Sequence, residues 1–496
     1  MSAAGPYEPT AESLSRHTVP EWYAGAKLGL MIHWGPYSVP GWAERSGNIQ
    51  DLWAKKGPAY QFRHNPYAEW YRNTIQIAGS GAQRHHHETY GRDYPYEEFG
   101  RQFGAASAKA DFSAWAELFA RAGARYAVLT AKHMDGYPLW PSRHANPRAP
   151  SYHSKRDLVG DWAEAVRARG LKMGLYYCGG YDGLFNGTVI RDPLTAMTAI
   201  PQGQEFSAHA EGQLTELIER YEPSVLWNDI AYPAGADVRE LLALYYNTVA
   251  DGAVNDRWAQ VRLPRSRIGK AALAATLRMV SLLWPVLPAS WRRLKMLPAA
   301  HCDFITPEYE VRHDISGRKW EAVRGIGHSF GINRAEREED LLSVEELVRL
   351  LADVVSKNGN LLLGIAPEPD GRFPEMQTRR LLALGDWLVV NGEAIYGSRP
   401  WVRAEGTTLG GPPVRFTRND EAVFAIVMGT PSGTRLRVEG IVAGEGATVG
   451  LLGSDGALAW ERDGDALAVT LPGAMPSSPA HTLRISPAAS VALSTA

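Results

Sequence analysis

The run SVLWND at 224–229 puts a carboxylate, Asp229, at the tip of a short apolar strand, and Pro233 prevents regular continuation soon after. A carboxylate in that place has two uses. It can cap the following turn, as Asp often does. It can also face a pocket, because strand tips form the floor of the active site in barrels of alternating strands and helices. In the second case Asp229 is a candidate nucleophile, and the residues that end other strands become its neighbours. Residues 28–32 form a strand candidate that runs into His33, and 126–131 one that runs into Lys132 and His133. A lone His is more often a satisfied core residue, but two at separate strand tips favour a shared polar pocket.

The elements that must position these residues follow a rhythm. Phe112, Trp115, Phe119 and Ala122 recur at helical spacing before the strand at 126–131. A helix at 161–169, with Gly170 as its C-cap, precedes a strand at 172–177. Leu214, Leu217, Ile218 and Tyr221 line the helix before residues 224–227, and an amphipathic helix at 347–355 precedes a strand at 360–365. Helix and strand alternate with short joints, and strand after strand ends in polar or aromatic residues. That pattern predicts a (β/α)8-like barrel over 1–400 in preference to a doubly wound sheet. From about residue 400 the pattern changes to short alternating segments, predicting a C-terminal β-sandwich over 401–496. No glycine-rich phosphate loop follows a strand, so nucleotide binding has no support.

Composition narrows the function. The chain is 45% hydrophobic and 21% charged with a formal net charge of -2, so nothing global attracts nucleic acid. The 16 Trp and 21 Tyr suit sugar stacking, although Trp also fills large cores. Two distant cysteines, Cys178 and Cys302, make no disulfide framework and no metal spacing. Residues 1–20 are polar with no apolar signal segment, so a cytoplasmic location is expected. His85, His86 and His87 resemble a metal cluster, but adjacent residues diverge on either a helix or a strand, and no metal is expected there.

Several segments together resemble the glycoside hydrolase family 29 α-L-fucosidases. They are AKLGLMIHWGPYSVP at 26–40, YAVLTAKHMDG at 126–136 with LWPS at 139–142, LWND at 226–229, RGIGHSFG at 324–331, KNGNLLL at 357–363 and GEAIYG at 392–397. The resemblance implies a (β/α) barrel with a β-sandwich that removes terminal α-linked L-fucose with retention, and no cofactor. It implies that Asp229 attacks the anomeric carbon. In CDFITPEYEV at 302–311 it assigns Glu308 as the acid/base, with Glu310 as rival, since two residues along an extended segment face the same side. Retention needs two carboxyls roughly 5–5.5 Å apart, one ionised and one protonated at the start. Arg257 would hold Asp229 anionic or bind a sugar hydroxyl. The sugar contacts implied are His33, Glu69, Trp70, His133, Tyr177 and Arg257, with Phe330 along the C5-methyl side.

The chain departs from the family twice. Met134 stands where the family commonly has a second His, so a hydrogen bond to a sugar hydroxyl is expected to be lost, and the sugar held more weakly or differing at one hydroxyl. An insertion at 259–299 separates Arg257 from Glu308, and the stretch 257–296 that overlaps it carries nine basic residues and no acidic one. Its apolar run at 271–288 is broken by Arg278 and Pro285. The insertion reads as a helix packed on the barrel, as a lid, or as a basic amphipathic element over 262–296 touching anionic lipid. Three functions follow: a retaining fucosidase acting on a fucosylated glycan or glycoside, the same machinery on another α-linked sugar, or a carbohydrate-binding or membrane-surface protein with weakened catalysis.

Overall fold

Leu28–Ile32 (β1), Tyr126–Lys132 (β2), Lys172–Cys178 (β3), Val225–Asp229 (β4), Ala253–Val254 (β5), Trp320–Gly325 (β6) and Gly359–Ile365 (β7) form one parallel sheet in the order β5-β4-β3-β2-β1-β7-β6. The computed structural model describes residues 5–292 and 297–494. The strands are buried on both faces, as parallel strands under helices must be. Leu30, Leu129, Leu175, Leu226 and Leu363 pack outward beneath the helices. Met31, Val128, Tyr176, Trp227 and Leu362 pack inward.

Between β5 and β6 the curl is closed by an irregular segment, 303–309. The Asp303 N–H donates to the Val254 carbonyl (3.0 Å), the Glu321 N–H to the Ile305 carbonyl (2.8 Å) and the Tyr309 N–H to the Val323 carbonyl (2.9 Å). The result is the expected (β/α)8-like architecture, with seven regular strands and one irregular stave. The sequence pattern missed β5 because two residues carry no period. It missed β6 because Glu321 and Arg324 interrupt its apolar run.

The helices begin where local chemistry starts them. The Asp111 carboxylate accepts the Ser113 and Ala114 N–H groups at the head of Phe112–Arg121, and Ser343 and Glu346 form a capping box at the head of Val344–Ser356. Gly123 and Gly170 follow their helices with φ of +84° and +71°, which glycine adopts without strain.

The C-terminal region folds as a six-stranded antiparallel sheet facing a three-stranded one across a core that includes Phe416, Val438 and Leu467. It docks on the barrel helices, where Trp387 Nε1 donates to the Ala480 carbonyl at 2.9 Å. The inserted segment forms a helix at Arg267–Leu283, followed by a short turn in which Trp284 is buried. The three adjacent histidines fan out around Gly81–Thr89: His85 stacks on Trp42, while His86 meets the Tyr71 hydroxyl and the Tyr94 carbonyl.

Candidate active site

β4 ends because its next residue turns away. Ile230 has φ of +71°, a left-handed conformation that a β-branched residue rarely adopts, and strain of that kind gathers at functional sites. The Ile230 N–H donates to Asp229 Oδ1 at 2.8 Å. Asp229 therefore serves the turn and still reaches the cavity, so the two uses read from its position are not exclusive. Arg257 Nη1 donates to the same Oδ1 at 2.8 Å, and the Tyr176 hydroxyl donates to Oδ2 at 2.6 Å.

The other carboxyl comes from the irregular stave. Glu308 Oε2 accepts from Arg257 Nη2 at 2.9 Å, and Oε1 accepts from the Tyr67 hydroxyl at 2.5 Å. One guanidinium thus holds Asp229 and Glu308 together. Burial works against the charge on Arg257, but the two carboxylates offset it and hold the guanidinium pKa above its ordinary value. The Arg257 guanidinium also lies 4.7 Å over the Trp227 ring.

Both carboxyls open into a cavity of about 940 Å3, counted out to its mouth. Its wall is a chain of rings: Phe330 beside His33 (5.2 Å between centroids), His33 beside His133 (5.5 Å), His133 stacked on Tyr176 (5.7 Å), and Tyr176 stacked on Trp227 (5.5 Å). Burial drives both histidines down, His133 to about 3, so each is a neutral ring with one donor and one acceptor. Glu69 accepts the Gly331 N–H at 2.7 Å. Burial pushes it up to about 8, so at neutral pH it offers an O–H donor as well as an acceptor. A pocket with apolar rings on its walls and a few convergent polar groups suits a small sugar.

The structure brings together His33, Glu69, Trp70, His133, Asp229, Arg257, Glu308 and Phe330 at this cavity. Three expectations need correction. Tyr177 does not line it; its hydroxyl donates to Gln213 at 2.9 Å in the helix layer, and the inward residue is its neighbour Tyr176. Strand parity decides between them, and two adjacent tyrosines in a strand buried on both faces hide that parity. Glu310 does not share the face of Glu308. Tyr309 between them has φ of +53°, which breaks the alternation, and Glu310 borders a surface hollow with Val311 and Arg312. Met134 borders a small adjoining hollow, separated from the main cavity by Tyr181, which lines both. Tyr67 and Trp227 were missed as site residues. The aromatic cluster around Tyr67 was a usable signal, and Trp227 lies two residues before Asp229 on the same face.

Known proteins resemble the chain along most of its length. The alpha-L-fucosidase family model matches residues 1–271 and 289–393. The chain belongs to the alpha-L-fucosidase family. The model of the fucosidase C-terminal domain matches residues 410–486. Tissue alpha-L-fucosidase of Rattus norvegicus is 30% identical over 495 residues, covering 97% of this chain and 92% of the relative. Plasma alpha-L-fucosidase of the same animal is 33% identical, covering 92% and 87%. Among solved structures, the Thermotoga maritima alpha-fucosidase in complex with a mechanism-based inhibitor is 39% identical with a TM-score of 0.80, covering 97% of this chain and all (100%) of that one. A Thermotoga maritima alpha-L-fucosynthase bound to alpha-L-Fuc-(1-2)-beta-L-Fuc-N3 is 38% identical with a TM-score of 0.81, covering 97% and 99%. This fucosidase is a glycoside hydrolase with a fucosylated substrate, and its match to the family model breaks at 272–288, a gap that begins inside the helix Arg267–Leu283 and runs past its end.

Proposed function

We propose that the enzyme releases terminal α-L-fucose with retention, by double displacement, with Asp229 as nucleophile and Glu308 as acid/base. The observation that supports this reading is the single guanidinium shared by the two carboxyls. Arg257 reaches Asp229 at 2.8 Å and Glu308 at 2.9 Å from its two terminal nitrogens, so both carboxyls border one guanidinium, an arrangement in keeping with the roughly 5–5.5 Å of retaining enzymes.

Among the described residues, Asp229 Oδ1 is fixed by two donors, while Oδ2 takes only the Tyr176 hydroxyl, so Oδ2 is the oxygen with a lone pair to spare. It attacks the anomeric carbon as the glycosidic bond breaks, and protonated Glu308 gives its proton to the leaving oxygen. Water then attacks the fucosyl–Asp229 ester, Glu308 takes the water's proton, and Asp229 leaves as a carboxylate. His33, His133 and Glu69 pair the sugar hydroxyls, and Trp70 and Phe330 cover its apolar face and methyl group. This reading assigns catalysis to a domain at 1–400 and no catalytic group to a domain at 401–496.

Hydrolysis of a chromogenic α-L-fucoside by Asp229→Ala and Glu308→Ala in the presence of azide tests the assignment. The expected products are β-fucosyl azide from Asp229→Ala and α-fucosyl azide from Glu308→Ala, distinguished by NMR. Wild-type activity with neither azide product would remove the double-displacement reading. Turnover of another α-linked sugar in preference to the fucoside would move the substrate and leave the mechanism.

A further inference from the structure

The helix Arg267–Leu283 contains no buried residue. Its half-buried side, Leu273, Leu277 and Val280, faces the body of the protein, where the helix lies against Pro193–Thr198. Ile268, Ala275, Met279 and Leu282 recur at intervals of seven, four and three, which places them on the opposite side as a second apolar stripe. Ile268 is 83% exposed and Leu282 81%, and Val286 and Trp291 extend the exposed apolar surface beyond the helix. Arg267 and Arg278 flank one edge of the stripe and are exposed. No acidic residue occurs from 257 to 302. A globular helix has one apolar stripe and turns it inward; a second stripe turned outward and edged with arginine is the pattern of a helix lying in a lipid interface.

Its footing is firm. Trp284 Nε1 donates to the Trp53 carbonyl at 2.9 Å with the two rings edge to face, and Arg292 Nη1 donates to the Ala54 carbonyl at 3.3 Å. Trp53 and Ala196, on the two elements that carry the insertion, also line the catalytic cavity. The insertion therefore stands beside the mouth of the site. Among the described residues, no helix is long and apolar enough to cross a membrane, which fits an element that lies on a bilayer.

We infer that the outward face of 267–292 docks on an anionic lipid bilayer and holds the mouth of the cavity next to it. Charge selects this occupant: a segment that carries basic and no acidic side chains matches a sheet of anionic headgroups, while the apolar stripe enters the acyl boundary. The docking does not depend on the proposed mechanism, because vesicle binding is read without turnover.

The test is co-sedimentation of the full chain with vesicles of phosphatidylcholine alone or with about one-third phosphatidylglycerol, at low and high salt. Binding is expected to be at least about tenfold stronger to the anionic vesicles at low salt, and to fall at high salt. The triple variant Ile268→Ser, Met279→Ser, Leu282→Ser and the pair Arg267→Glu, Arg278→Glu are each expected to lose about tenfold or more of that binding. Both should keep wild-type hydrolysis of a soluble chromogenic fucoside, which confirms that they fold. Absence of wild-type binding at low salt, or equal binding by the triple variant, would overturn the inference. So would a dimer in sedimentation velocity that the triple variant abolishes, since a second copy would then cover the face.

Discussion

Glu321 and Asp229 both lie inside the barrel, and both take hydrogen bonds from aromatic side chains, but they are held in opposite ways. Glu321 is sealed. It accepts from the Tyr126 hydroxyl at 2.5 Å, the Tyr23 hydroxyl at 2.8 Å and Trp227 Nε1 at 3.0 Å, and none of its surface is exposed. Asp229 is met from one side by Arg257, Tyr176 and its own turn, and on the other it faces the cavity. A carboxyl enclosed by donors on all sides can only position something; one with an open side can react. The two are linked, because Trp227 is oriented by Glu321 and stacks on Tyr176, which in turn holds Asp229. Glu321 is a foundation of the site without touching it.

That contrast is open to direct attack. Asp229→Ala is expected to lower kcat on a chromogenic fucoside by about 10^4-fold or more, with a smaller loss of unfolding free energy than Glu321→Ala, since Arg257 keeps Glu308 as partner and the cavity lets water meet the freed donors. Glu308→Ala should cost about 10^2- to 10^4-fold, and less on a substrate with a good leaving group. Glu321→Ala should do the reverse. It strands three buried donors, so denaturant melts are expected to show a loss of about 3–5 kcal/mol, and Glu321→Gln should restore most of it. If Glu321→Ala proved as inactive as Asp229→Ala while equally stable, the distinction between sealed and open carboxyls would fail.

A finer version compares neighbours on one strand. Tyr176→Phe removes the donor to Asp229 Oδ2 and is expected to reduce kcat by about tenfold. Tyr177→Phe removes the bond to Gln213, costing about 1 kcal/mol of stability and leaving kcat near wild type.

The smallest net effect is expected on pH dependence, because the shifts of Glu69 and His133 oppose each other where their windows overlap. Glu69 holds its proton to about 8 when folded against 4.5 ordinarily, so across that window the folded state binds the extra proton and stability falls as pH rises. His133 is shifted the other way, to about 3 from 6.5, so its contribution is lost as pH falls through that window. Glu69→Gln should flatten the fall in stability as pH rises from about 4.5 to 8, and His133→Asn the loss as pH falls from about 6.5 to 3, each by at most about 1.4 kcal/mol per pH unit.

The same contrast explains what could be read from the sequence. Asp229 was visible because an apolar run stops dead at a carboxylate, and His33 and His133 because they end strands of clear pattern. Glu321 was invisible for the complementary reason. It sits in the middle of β6, where a charged residue argues against a buried strand until its three donors are known. Those donors come from residues 23, 126 and 227, and no local pattern brings them together. The barrel was legible from its helix–strand rhythm, but its closing stave was not, because 303–309 is held by hydrogen bonds to β5 and β6 and lacks a period of its own. Glu308 could be placed through the family resemblance, and its separation from Glu310 depended on one backbone angle at Tyr309.

The clamp around that stave has a consequence for how the chain can change. The two ends of the inserted segment meet: the Thr306 hydroxyl and N–H both donate to Asp256, the Asp303 N–H reaches the Val254 carbonyl, and Asp303 Oδ2 accepts the Val254 N–H. Tyr246 and His17 fasten Asp303 from the other side. A loop whose ends are pinned together independently of its contents can be lengthened cheaply, at about 0.6 kcal/mol for each doubling. The gap between Arg257 and Asp303 is thus a socket in the scaffold. Different modules can be exchanged there, by evolution or by grafting, while Asp229 and Glu308 on either side keep their register.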